Sequence, residues 1–135
     1  MPLLLDTGPL YALADQDDAW HERIRDFLEE SRQPLLVPVS VLPEAAYLIR
    51  TRLGEPQELL FAESLAAGEI TVEGLTRNDL KRTAELMKKY PFLGFVDATV
   101  VAIAERLKLD AVVTTDRRDF RRVKPKHVSA FRLLP

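Results

Sequence analysis

Met1-Pro2-Leu3-Leu4-Leu5-Asp6-Thr7-Gly8-Pro9 decides how the rest of the chain is read. Three leucines in a row, ended at once by an acid and then by Gly8 and Pro9, have the length and continuity of a strand buried on both faces. No basic segment precedes the leucines, and no apolar run in the chain approaches the roughly 18 residues that a membrane span needs. The stretch therefore reads as a strand that starts with the chain, not as a leader or an anchor.

The same pattern recurs four times. Leu35-Leu36-Val37 is another short continuous apolar run, and Ile70-Thr71-Val72 and Ala111-Val112-Val113-Thr114 add the β-branched residues that strands favour. Ala130-Phe131-Arg132-Leu133 is a terminal candidate. Helical spacing fills the intervals. Trp20, Ile24, Phe27 and Leu28 share one face, and Ala45, Leu48, Ile49 and Leu53 share another from Glu44 onward. Leu59 to Ala67 is rich in Leu and Ala and stops at Gly68. Thr76-Arg77-Asn78-Asp79 resembles a capping box that opens a helix through Met87. Pro91 and Gly94 break the chain before a helix expected from Asp97 to Leu107. Strands alternating with helices predict one α/β domain over residues 1–135, with a mainly parallel sheet and right-handed crossovers.

Composition narrows the chemistry. The chain of 135 residues is 47% hydrophobic and 30% charged, as in ordinary globular proteins, and it has no repeat, low-complexity tract or linker. The absence of cysteine excludes disulfides, thiolate nucleophiles and Cys-ligated zinc, and it fits an intracellular, cytoplasmic location. His21 and His127 are the only histidines and lack a ligand pattern, so both read as structural or surface residues. A net charge of −2 argues against coating nucleic acid by bulk electrostatics. Yet Arg117, Arg118, Arg121, Arg122, Lys124 and Lys126 crowd one stretch, with Asp119 the single acid among them. That run is either a solvated loop or a phosphate contact.

Four acids fall at equivalent places on this frame. Ligands of open α/β sheets bind outside the carboxyl ends of the strands. Asp6 ends the first strand, and Asp116 follows the strand Ala111 to Thr115. Crossover helices run antiparallel to their strands, so Glu44 and Asp97, each at a helix start, come to the same edge. Each acid also has a plainer reading. Asp6 and Asp97 could be helix caps, Glu44 a favourable first-turn acid, and Asp116 a turn residue. Four gathered carboxylates repel one another unless a cation neutralises them. Oxygen ligands without His or Cys select Mg²⁺ or Mn²⁺, ions suited to phosphodiester hydrolysis.

At these residues the sequence resembles the PIN-domain family and, within it, the VapC-type toxins of prokaryotic toxin–antitoxin pairs. The resemblance rests on Leu5-Asp6-Thr7-Gly8-Pro9-Leu10, Val41-Leu42-Pro43-Glu44-Ala45-Ala46-Tyr47, Phe95-Val96-Asp97-Ala98 with Ile103-Ala104, and Thr114-Thr115-Asp116-Arg117-Arg118-Asp119-Phe120. Each motif is short, but the set is in order and spans nearly the whole chain. It implies a three-layer α/β/α sandwich around a five-stranded parallel sheet. It also implies a Mg²⁺- or Mn²⁺-dependent endoribonuclease that forms homodimers and is inhibited by a small antitoxin. Carried over by position, Asp6 and Asp97 would hold the metal directly, with Glu44 and Asp116 acting through water. Thr7 and Thr115 would support the acids. Asp119 would be a further acid or a salt-bridge partner of the arginines. Arg117, Arg118 and Arg121 follow the proposed site directly in the chain and are expected to bind RNA phosphates.

The remaining candidates read as packing or contact surface. Trp20, Ile24 and Phe27 are expected in the core, with a partner or dimer surface as the alternative. Tyr47 and Tyr90 could stack on bases, and core packing is the expectation for Tyr47. An aspartate-nucleophile phosphatase would want a second Asp two residues after Asp6, where Gly8 stands. A phosphoacceptor receiver domain would want an early acidic pair, a mid-chain Asp at a strand end and a late Lys, and the chain lacks that set. A PIN nuclease of RNA processing or decay and a non-catalytic RNA-binding module remain as alternatives. The presence of nothing but the domain favours the stand-alone toxin.

Overall fold

The computed structural model describes residues 1–135. Strands and helices alternate as β1 (Leu3–Leu5), α1 (Thr7–Ala14), α2 (His21–Ser31), β2 (Leu35–Pro38), α3 (Val41–Leu53), α4 (Glu55–Ala66), β3 (Thr71–Glu73), α5 (Arg77–Lys89), α6 (Phe95–Leu107), β4 (Ala111–Val113), α7 (Arg118–Arg121) and β5 (Arg132–Leu134). The five strands form one sheet in the order β3-β2-β1-β4-β5. Every neighbouring pair is parallel, so the expected mainly parallel sheet is wholly so. Helices α1 to α4 pack among themselves, and α5 packs on α6. Crossovers of one hand put the first group on one face of the sheet. The return from β3 to β4 puts the second on the other, which gives three layers.

Burial follows the apolar runs. All of β1 and β4 is buried, and Leu4, Leu5, Val112 and Val113 have no exposed surface. Helix α6 is buried at every residue from Ala98 to Glu105, between the sheet and α5. The edge strands are less buried, β3 mostly exposed and β5 half-buried through Leu133 and Leu134, so their short sequences carry less apolar signal. Ile24 is fully buried, while Trp20 and Phe27 pack partly buried against the core.

Several boundaries move for local reasons. Helix α6 starts at Phe95, because Gly94 is its N-cap, and Asp97 becomes its third residue. Helix α3 starts three residues before Glu44 and keeps that acid in its first turn. Gly54, at φ +100°, separates α3 from α4, which begins with Pro56 near its N-terminus, where the missing N–H costs nothing. The capping box of α5 forms as expected. Thr76 Oγ1 accepts the Asp79 N–H and Asp79 Oδ2 accepts the Thr76 N–H, both at 3.0 Å. One packing expectation fails: Tyr47 is 59% exposed on α3, because Ala45 and Ile49 supply the face that α3 turns inward. His21 donates from Nδ1 to the Ala12 carbonyl (2.7 Å) and His127 from Nε2 to the Leu109 carbonyl (2.6 Å). Both are structural ties.

Candidate active site: an acidic cleft at the reversal of strand order

The chain builds β1, β2 and β3 outward in one direction, then returns to lay β4 on the other side of β1. Connections diverge at such a reversal, and a crevice opens beyond the carboxyl ends of the two strands. The register Leu5↔Val113 carries the next pair, Asp6 and Thr114, side by side into that crevice. The Asp6 N–H donates to the Val113 carbonyl at 3.0 Å, which continues the ladder. Thr114 Oγ1 donates to Asp6 Oδ2 (3.1 Å) and accepts the Asp116 N–H (3.0 Å), tying the Asp6 carboxylate to the Asp116 backbone.

Helix starts deliver the other two acids. Ser40, the N-cap of α3, meets the buried Thr99 of α6 at 2.6 Å between hydroxyl oxygens, and Thr99 donates to the Val96 carbonyl at 2.5 Å. This link holds the first turns of α3 and α6 together, and with them Glu44 and Asp97. Asp6, Glu44, Asp97 and Asp116 line one cleft of about 380 Å³, together with Thr7, Gly8 and Thr115. A Cβ on Gly8 would collide with the Thr115 side chain, so only glycine lets the start of α1 approach the residues after β4.

The electrostatics couple the acids. Burial, above all, pushes the Asp6 carboxyl up to about 6. The charges of Glu44 and Asp116 raise it further, and the Thr7 amide and Thr114 hydroxyl offset part of the rise. Asp97 is pushed up to about 7, first by burial and then by Asp6, Asp116, Asp119 and Glu44. Asp119 thus acts on Asp97 through space and forms no ion pair with the neighbouring arginines. Asp6 is the N-cap residue of α1, yet its side chain makes no cap hydrogen bond. Its Oδ1 and the Thr7 hydroxyl are buried without a partner. Asp116 does keep a turn role, because its Oδ1 accepts the Arg118 N–H at 3.2 Å.

These features fit a hydrated hard cation. The donors are all oxygens, and an orphaned carboxylate oxygen beside an orphaned hydroxyl is a polar site that lacks a partner. No three acids converge as direct ligands of one point. Mg²⁺ does not need them to, since it keeps several waters and takes one or two carboxylates.

The basic residues after Asp116 are unequal. The Arg117 guanidinium donates to the Pro135 carbonyl and lies 5.8 Å from the Trp20 ring centroid, so it is engaged within the fold. Arg118 and Arg121 are exposed and form no ion pair.

A family model of the PIN domain matches residues 3–126. The chain belongs to the PIN domain family. Across 98% of its length this PIN domain is 28% identical to Ribonuclease VapC26 of Mycobacterium tuberculosis, which it covers entirely. Its fold is similar to that of M. tuberculosis VapC20, described as a Sarcin-Ricin loop cleaving toxin. The TM-score is 0.74 and the identity 23%, over 82% of this chain and 86% of the other. It is also similar to the structure of VapBC2 from Rickettsia felis bound to a promoter DNA fragment, with TM-score 0.74 and 13% identity over both whole chains.

In this PIN domain Thr114 is a supporting residue that sequence reasoning missed; it had named Thr7 and Thr115, which also line the cleft. The strand register that sets Thr114 beside Asp6 is not written in either segment alone. Thr114→Val keeps the shape, removes the hydroxyl and leaves the Asp116 N–H without its acceptor. Urea unfolding should show a loss of about 1–3 kcal/mol, and Thr114→Ser should recover most of it.

Proposed function

We propose that this PIN domain is a divalent-metal-dependent endoribonuclease that serves as the toxin of a toxin–antitoxin pair. The observation that carries the reading is the convergence of Asp6, Glu44, Asp97 and Asp116, from four separate elements, on one cleft that lifts two of their carboxyls to about 6 and about 7. The names of the similar proteins, a ribonuclease and toxins found with antitoxins, support the substrate and the biological role.

Asp6 and Asp97, the two acids with raised carboxyls, would hold Mg²⁺ or Mn²⁺. Glu44 and Asp116 would reach it through water. Such an ion supplies charge neutralisation and Lewis-acid activation for water attacking an RNA phosphate in line. Glu44, exposed at the rim, would take a proton from the attacking water. Thr114 keeps Asp6 oriented, and Asp119 adds negative charge beside Asp97. No helix is long and apolar enough to cross a membrane. The exposed Tyr47, Leu59 and Leu60 offer apolar surface for protein partners, an antitoxin and a second copy of this chain.

Arg118 and Arg121 would hold substrate phosphates next to the cleft, while Arg117 anchors the segment that carries them. Arg118→Gln/Arg121→Gln should weaken RNA affinity and make its logarithmic salt slope shallower by about 1.4, two contacts at roughly 0.7 each on single-stranded RNA. Filter binding over a salt series would measure it, and an unchanged slope would return both arginines to a solvated loop. The reading as a whole is tested by mapping RNA ends produced by the purified protein. Mg²⁺ or Mn²⁺ should permit cutting, EDTA should stop it, and folded Asp97→Asn should leave RNA intact. A folded wild-type protein that binds RNA and leaves it uncut in both ions would make it a binding module instead.

A further inference from the structure

The basic run does not float over the surface after α7. From Arg122 to Lys126 burial alternates: Val123 and Pro125 point in, and Arg122, Lys124 and Lys126 are exposed. The Lys124 N–H donates to Tyr90 Oη at 3.1 Å, and the Lys126 N–H to Glu105 Oε2 at 2.8 Å. The Arg122 guanidinium lies 3.7 Å from the Phe92 ring centroid. Phe92 stands just before α6, and Glu105 stands near its end. The helix from Phe95 to Glu105 is about 15 Å long, ten steps at 1.5 Å each. Four steps of chain from Arg122 to Lys126 reach at most about 14 Å. The lengths match, so the segment runs beside α6 away from the acidic cleft, with its cations facing solvent every second residue.

At its far end lies a hollow of about 500 Å³ between α5, α6 and the segment itself. Five cations and three carboxylates line it. The carboxylates are already engaged. Arg82 bonds Glu105 (2.7 Å) and Glu85 (3.2 Å), and Arg106 bonds Asp79 (3.0 Å). Lys81 and Lys108 form no ion pair, and Lys126 Nζ reaches Glu85 only at 4.0 Å. The positive charge left over is exposed and uncommitted.

We propose that Arg122, Lys124 and Lys126, with Lys81 and Lys108 around this hollow, form a phosphate track that binds RNA beyond the cleavage position. The proposal rests on reading the acidic cleft as the RNA-cutting centre, and it adds that the substrate extends several nucleotides along α6. The test is the affinity of the full chain in EDTA for oligouridylates graded from about four to about twenty nucleotides, over a salt series. For the longest RNA, Lys81→Gln/Lys108→Gln/Lys124→Gln/Lys126→Gln should flatten the salt slope by about 2 to 3, four contacts at roughly 0.7 each. The difference from wild type should shrink as the RNA shortens. Arg25→Gln/Arg32→Gln/Arg50→Gln/Arg52→Gln, which removes four charges from α2, its C-cap and α3 on the other face of the sheet, controls for net charge and should not reproduce the effect. An unchanged slope on the longest RNA, or an equal loss at every length, would overturn the track. Wild-type RNA cleavage in Mg²⁺ is scored separately. Length-dependent binding without any cutting would sink the nuclease reading and leave the track in place.

Discussion

Asp6→Asn should cut RNA on the order of a thousandfold more slowly than wild type, which corresponds to several kcal/mol of lost charge stabilisation in the transition state. The exchange is nearly isosteric, and the amide oxygen can still accept the Thr114 hydroxyl that now bonds Oδ2. What disappears is the anionic oxygen, Oδ1, which is buried and has no partner within the protein. The loss should fall on kcat, since the proposed function gives RNA binding to Arg118 and Arg121 outside the cleft. The variant should also be more stable than wild type without metal, because the protein no longer carries a buried charge that its surroundings oppose. A slow and destabilised variant would instead mark Asp6 as a structural residue.

The metal-free protein should be most stable near pH 4 and lose stability toward pH 7. The sign follows from the two raised carboxyls. An unfolded Asp releases its proton near 3.8, whereas Asp6 holds it to about 6 and Asp97 to about 7. Between these values the folded state binds more protons than the unfolded one, so stability falls as pH rises. For Asp6 alone the change is on the order of 3 kcal/mol. The acids interact, so the cleft titrates as a set and the contributions do not add. Below about pH 4 the trend reverses. Asp79 and Glu105 are held below their ordinary values, offset against their burial by Arg106 and Arg82, and they lose that stabilisation on protonation. Urea unfolding in EDTA across this range would measure the curve, and a flat profile from pH 5 to 7 would mean that the cleft is not strained by its own charge.

The central layer was legible because its residues are buried on every side. Leu3-Leu4-Leu5 and Ala111-Val112-Val113 lie in the middle of the sheet, and nothing polar interrupts them. The terminal strand was harder to place. β5 sits at the edge, only half-buried, and it starts two residues later than the expected run. The four acids were legible from position alone, since strand ends and helix starts share one edge in a parallel α/β chain. Contacts set by register or by distant chain were not. Thr114 supports Asp6 only because Leu5 pairs with Val113, and Arg117 is withdrawn from solvent by Trp20 and Pro135, both far off in sequence. Tyr47 misled because helical spacing marks which residues share a face without saying which face turns inward.

The central question for this protein is whether the four acids make one metal centre. The direct measurement is the thermal midpoint of the protein at pH 7 during a Mg²⁺ titration, for wild type and for Asp97→Asn. Wild type should rise with Mg²⁺ as the ion relieves the carboxylate repulsion. Asp97→Asn should start higher in EDTA and gain far less. Equal gains in both proteins, or no gain in wild type while it still cuts RNA, would contradict it.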